Sequence, residues 1–233
     1  MGTIDHHTTV ISVNVPAGLF DSGWLWLTHL LYGALLLYTI RCAPWWHLRD
    51  NESSHVWLGS CVALMLLWQI KAGVFPGLHL HLLGTTLLTL MFGWPFAFLA
   101  VTVVILALTW NGTLDLETLS LNALMMGALP VSVSHQIYRR VDRLLPNHYF
   151  IYILGMAFFG AMLTMAAVGI VATLVLSLSD RYTLVYLLQN YLPCYLLMIF
   201  PEGFMTGMLM SALVVYRPEW VATFDDERYL RDK

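Results

Sequence analysis

The chain reads as an all-α polytopic membrane protein of about seven transmembrane segments. Of its 233 residues, 59% are hydrophobic and 11% charged, with a mean hydropathy of +0.71. A soluble globular domain carries about 45–50% apolar and about 25% charged residues. Apolar runs long enough to cross a hydrocarbon core of about 30 Å recur almost end to end. The basic residues cluster on alternate sides of those runs. A net charge of −3 excludes nucleic acid as a partner, because binding it requires a strongly basic face. Cys42, Cys61 and Cys194 lack paired spacing and offer no disulfide framework, zinc ribbon or iron–sulfur motif.

Taken in order, span one covers about residues 22–40 and span two about 55–74. Span three is short, about 80–92, and is closed by Gly93-Trp94-Pro95; span four follows at once to about residue 110. Spans five and six cover about 118–138 and 149–178. Span seven, about 184–216, is longer than one straight crossing needs, and Pro193 and Pro201-Glu202-Gly203 predict a break or kink in it. Residues 1–216 read as one integral-membrane domain with an outer segment 1–21, and 217–233 as a cytoplasmic tail. No Lys or Arg precedes the first apolar run, so no cleaved secretory signal is expected.

Positive residues near span ends stay on the cytoplasmic side. With seven segments and the N-terminus outside, the inner segments hold Arg41, Arg49, Arg139, Arg140, Arg143, Arg217, Arg228, Arg231 and Lys233, nine of the eleven basic residues. Only Lys71 and Arg181 fall outside. Fusing spans three and four would put the Arg139–Arg143 cluster opposite the tail, so the split is the better reading.

Few polar residues sit where polarity is costly. Glu202 is the one carboxylate deep in an apolar context; a charge at that depth marks a cavity, an ion path or a subunit contact. It also suits the positive end of the half-helix that begins after Pro201. His79 and His81 stand at the outer entrance of span three, after Pro76-Gly77. Imidazoles at i and i+2 share a direction if the stretch is extended and diverge if it is helical. Neutral imidazole suits Ni, Co, Cu and Zn; the same residues can instead bond carbonyls freed by the turn. His6, His7 and His29 fall on the same outer side, His29 about two turns into span one. Asn122 is a buried amide near the outer end of span five, of the kind that bonds helices together. The twelve methionines are spaced as packing residues rather than as a thioether relay.

No phosphate-binding loop, nucleophile elbow or zinc-helix motif is present. Paired acid and base groups are missing too, so the chain reads as no enzyme and carries no ATP site. Several short stretches carry a resemblance: the loop into His81-Leu82-Leu83-Gly84, then Phe92-Gly93-Trp94-Pro95-Phe96-Ala97, then LSLNALMMG around Asn122, and a last span with Glu202-Gly203 ending at Tyr216-Arg217-Pro218. From about Val15 onward the chain resembles the substrate-specificity (permease) subunit of energy-coupling-factor cobalt and nickel transporters.

The resemblance implies import of a divalent transition metal, cobalt or nickel, captured on the outer face. An energy-coupling membrane subunit and ATP-binding-cassette ATPases would supply the energy, and a bacterial inner membrane would be the setting. It also implies a metal held by an N-terminal Met-His segment together with the histidine matched by His81. Here the family's opening is matched by Asn14-Val15-Pro16-Ala17-Gly18-Leu19-Phe20, so Asn14 stands where the family has histidine, and it is internal. Three arrangements are open: His79 supplies the second imidazole, with Asn14 or a carbonyl completing a site that also suits Zn or Cu; His6 and His7 fold back; or the cargo has changed. A competing reading is an accessory subunit that assembles a metalloenzyme or respiratory complex without moving metal.

Overall fold

The computed structural model describes residues 11–12, 18–70, 72–75, 78–179 and 182–229. Helix α1 is Ser22–Cys42 and α2 is Asn51–Gln69. Asp50 starts α2 by accepting the Ser53 N–H, the ordinary use of an acidic N-cap. Helix α3 is Thr85–Trp110, and α4 spans residues 119–144. Helices α5, Ile151–Ser177, and α6, Leu184–Tyr216, complete the bundle. By length and composition α1, α3, α5 and α6 are each able to cross a membrane.

The long helix α3 is two arms. Gly93 has φ 77° and ψ 168°, a conformation open to glycine and strained for any L side chain. Contacts on either side show that the chain turns back there. Along the second arm, Phe98 meets Tyr32 and Trp94 meets Tyr38, so residues 94–110 run antiparallel to α1. In the first arm, Gly84 lies against Leu64 and Leu67, while Trp57, at the start of α2, donates to the Phe96 carbonyl just past the turn. Residues 85–92 therefore run antiparallel to α2, and Leu83 and Trp68, at the start of the first arm, share one core cluster with Val104, Ile105 and Leu108 of the second, so the second arm returns toward the end where the first begins. The two arms point in opposite directions, which makes seven helical segments of six long helices, with the short third segment that the sequence predicts.

The clearest departures from the sequence reading lie between the second and third segments and within α6. Span two ends at Gln69 because residues 72–75 form a strand, and span three begins at Thr85 rather than Leu80. Strands β2 (Ala72–Phe75) and β3 (Leu78–Leu80) pair antiparallel, and β1 (Ile11–Ser12) joins β3 in parallel. A backbone that is neither helical nor in water must find partners, and this small sheet supplies them. It is the one non-helical layer among the described residues. Helix α6 also runs on through Pro201 without a break, and that residue is exposed on the bundle surface. The irregularity lies instead in a wide turn, Leu187–Tyr191, just before Pro193, where the missing N–H is accommodated.

Helices α5 and α6 pack closely through small residues. A Cβ on Gly169 would strike Tyr195, and one on Gly203 would strike Met162 and the Phe158 carbonyl; close approach of this kind drives helix association in lipid. Beyond α6 the chain folds back beneath the bundle. Phe224 and Tyr229 pack around the buried Tyr152, and the short helix α7, Asp226–Tyr229, docks on α4. There the Tyr229 hydroxyl donates to Asp142 at 2.8 Å and Arg228 pairs with the same carboxylate at 2.9 Å. Burial, reinforced by Asp142, pushes the Tyr229 hydroxyl above its ordinary pKa and keeps it a donor.

Gly93→Ala forces a side chain into the left-handed region at a cost of about 1–3 kcal/mol and is expected to lower the thermal midpoint in detergent. Gly33→Ala, where a Cβ meets open space inside α1, is expected to leave the midpoint unchanged or raise it. Equal midpoints for the two variants would contradict the reversal at Gly93.

Candidate functional site

Helix α3 begins without a side-chain cap of its own. Its N-cap residue is Gly84, at φ 66°, and a Cβ there would meet Leu64 Cδ1 at 3.0 Å and Leu67 Cδ2 at 3.2 Å. Backbone N–H groups at a helix start need an acceptor, and this start is buried. Glu202 supplies it from the middle of α6. Its Oε2 accepts the Leu83 N–H at 2.7 Å and its Oε1 the Gly84 N–H at 2.8 Å, and the residue is 1% exposed. Glu202 therefore serves the start of α3; there is no half-helix starting after Pro201 for it to cap, because α6 is continuous there.

The same loop is held from its other side. Trp68 of α2 donates its indole N–H to the Leu83 carbonyl at 3.1 Å, so Leu83 is fixed through both its amide and its carbonyl. The face of Trp68 also packs on the His81 ring, with centroids 5.1 Å apart. His81 is 2% exposed, and its Nδ1 lies 3.0 Å from the Leu82 carbonyl. A carbonyl only accepts, so Nδ1 carries the hydrogen, and in the neutral ring Nε2 holds the lone pair that a metal requires. The sequence points to His81 but gives no sign of Trp68, which stands 13 residues earlier in a run of apolar residues.

His79 lies in β3 with its backbone between Ser12 of β1 and Gly73 of β2. Through Leu80 the chain is therefore extended, the first of the two alternatives for the histidine pair. His29 is half-buried on α1, and its Nδ1 is 2.6 Å from the Ser120 hydroxyl of α4; it ties two helices together. Asn122, two residues beyond Ser120 and fully buried, donates at 3.2 Å to the hydroxyl of Thr118, the residue just before α4. Asn14, His6 and His7 lie outside the described residues. Among the described residues, no three His, Cys, Asp or Glu side chains gather as a metal cluster.

This geometry is a single buried imidazole on a loop clamped by a carboxylate and an indole, beside a strand from the N-terminal segment. Residues 14–220 match the family model described as "Cobalt uptake substrate-specific transmembrane region", CbiM. The chain belongs to that family. Its members are substrate-binding membrane components of transporters and not enzymes. The bundle also matches two solved structures, each 16% identical. One, described as a truncated transition metal transporter, gives a TM-score of 0.76 over 87% of this chain and 99% of its own. The other, described as a transition metal transporter, gives 0.73 over 86% and 92%. No curated protein matches. The family makes the chain an integral membrane component of cobalt uptake, while the two structures at this identity support the fold.

Glu202→Ala leaves two buried N–H groups without an acceptor, at about 1–3 kcal/mol each, and is expected to lower the thermal midpoint sharply. Glu202→Gln keeps the shape but turns an amide N–H₂ toward one of those donors, so a smaller loss is expected. A double-mutant cycle over His29→Ala and Ser120→Ala is expected to give a stability coupling of about 0.5–1.5 kcal/mol with metal retention unchanged. Loss of metal in His29→Ala would make that residue a ligand.

Proposed function

We propose that this chain captures a divalent transition metal of the cobalt and nickel class at the outer face of a bacterial inner membrane, with His81 as its principal ligand. The observation that carries this reading is the buried His81 ring, its tautomer set by the Leu82 carbonyl and its loop held by Glu202 and Trp68. A ligand whose rotamer is fixed before binding loses less freedom on coordination.

His79 is the second imidazole and Asn14 an oxygen donor. Supporting this is the parallel pairing of Ser12 with His79: Asn14 is two residues beyond Ser12, and His81 two beyond His79. His6 and His7 are further donors on the same segment. With Asn14 where the family pattern has histidine, such a site has less square-planar character. It therefore discriminates less against Zn and Cu than a strict nickel site does.

The N-terminus lies outside and the tail in the cytoplasm, the orientation that leaves nine of eleven basic residues inside. Release inward needs reorientation of the bundle, and a chain with no phosphate-binding loop borrows that energy from a separate coupling subunit and ATPases. Their docking surface is the Arg139–Arg143 segment with the tail.

The test is metal content by elemental mass spectrometry after equilibration with Ni, Co, Zn and Cu and desalting. Wild type is expected to retain about one metal per chain, cobalt or nickel. His81→Ala is expected to retain less than a tenth of that, with His79→Ala and Asn14→Ala intermediate. No retention by folded wild type, or full retention by His81→Ala, would overturn the reading.

A further inference from the structure

The first arm of α3 is held at both ends by the same stretch of chain. Its N-terminal end rests on Glu202 of α6. Its C-terminal end has a specific deficit, because the helical partner of the Met91 carbonyl would be the N–H of residue 95, and residue 95 is Pro. Reversal at Gly93 takes the following residues away from the Leu90 carbonyl as well. The tail beyond α6 fills both gaps. Ala222 N–H donates to Met91 at 2.8 Å, Thr223 N–H to Leu90 at 3.3 Å, and the Thr223 hydroxyl to Leu90 at 2.6 Å. Thr223 is in turn fixed by Tyr152 of α5, whose hydroxyl is 2.7 Å away.

The first arm itself, residues 85–92, is eight residues, a rod about 12 Å long. Leu88, Leu90 and Met91 are buried along it, and the Thr89 hydroxyl bonds back to the Thr85 carbonyl. A short helix in a close-packed interior shifts as a body rather than bending. At one end of the rod are Leu83 and Gly84, separated from His81 only by Leu82; at the other is the tail.

We propose that Thr223 is a positioning residue for the His81 loop, so that docking of the tail and binding of metal are linked through the first arm of α3. With the tail seated, the Leu90 and Met91 carbonyls are satisfied, the rod is fixed lengthwise, and Leu83 and Gly84 meet Glu202. With the tail displaced, the rod slides or frays at its lower end, and the loop that holds His81 loosens. A cytoplasmic partner that lifts the tail would thereby weaken the metal site from the opposite side of the bundle. The coupling is reciprocal: metal on His81 holds the tail down. This deepens the metal-capture reading, and its test is arranged so that the two fail separately.

The experiment compares wild type, Thr223→Val, Thr223→Ser and Tyr152→Phe as full chains in lipid nanodiscs. Hydrogen exchange is followed at the Leu83 and Gly84 amides without metal, and cobalt affinity is measured alongside. Thr223→Val is expected to speed exchange at Leu83 and Gly84 and to weaken cobalt binding about tenfold. Thr223→Ser, which keeps the hydroxyl, is expected to behave as wild type. Tyr152→Phe leaves every backbone bond of the tail in place, so it decides the matter if Thr223→Val does not fold; it is expected to shift both readouts in the same direction by a smaller factor. Faster exchange confined to the peptide after Leu90, with Leu83, Gly84 and cobalt affinity unchanged, would overturn the linkage. If wild type binds no cobalt, the metal reading fails while the exchange at Leu83 and Gly84 still decides the linkage.

Discussion

Glu202 reaches from the middle of α6 to the Leu83 and Gly84 amides, 2.7 and 2.8 Å away, and most of the architecture depends on that contact. A helix start buried in an apolar bundle has no water to satisfy its amides. A carboxylate 14 residues before the end of α6, about 21 Å from that end, has no water of its own either. Each solves the other's problem, so that two separately costly features become one joint. The joint fixes where α3 begins, and so where the His81 loop sits.

The reversal at Gly93 is the second constraint. It turns a stretch that by length could cross once into a short arm and a long arm, and it creates the carbonyl deficit at Leu90 and Met91 that the tail answers. One segment, α6 with its tail, thus supplies the acceptor at one end of the short arm and the donors at the other. A cobalt-uptake component needs a site held firmly enough to bind, yet connected to the face where its metal must leave. The short arm is the only element among the described residues whose two ends are capped by α6 and its tail.

Much of this was legible in the sequence. The seven segments, the short third one and the stop at Gly93-Trp94-Pro95 followed from hydropathy and from a glycine–proline pair, signals that are local in the chain. Glu202 stood out because a lone deep carboxylate is costly. Its partner did not, because nothing in a sequence shows that residue 202 meets residues 83 and 84. Trp68 was hidden for the same reason, as one apolar ring among many, and Thr223 looked like an ordinary residue of a polar tail. The strand at residues 72–75 was missed because its first residues are apolar enough to continue span two. Pro201 pointed to a break or kink in α6, and the helix runs through it without a break. Long-range pairing, rather than local propensity, accounts for the hidden roles of Glu202, Trp68 and Thr223.

The central claim is that the His81 ring, held by the Trp68 face and the Glu202-clamped loop, is the group that binds metal. The most direct measurement is X-ray absorption at the cobalt edge on the loaded protein in lipid, for wild type and for His81→Gln. The account predicts imidazole scattering in wild type that is reduced by one ring in the variant. A wild-type spectrum with no imidazole in the cobalt shell, or one unchanged by His81→Gln, would contradict it.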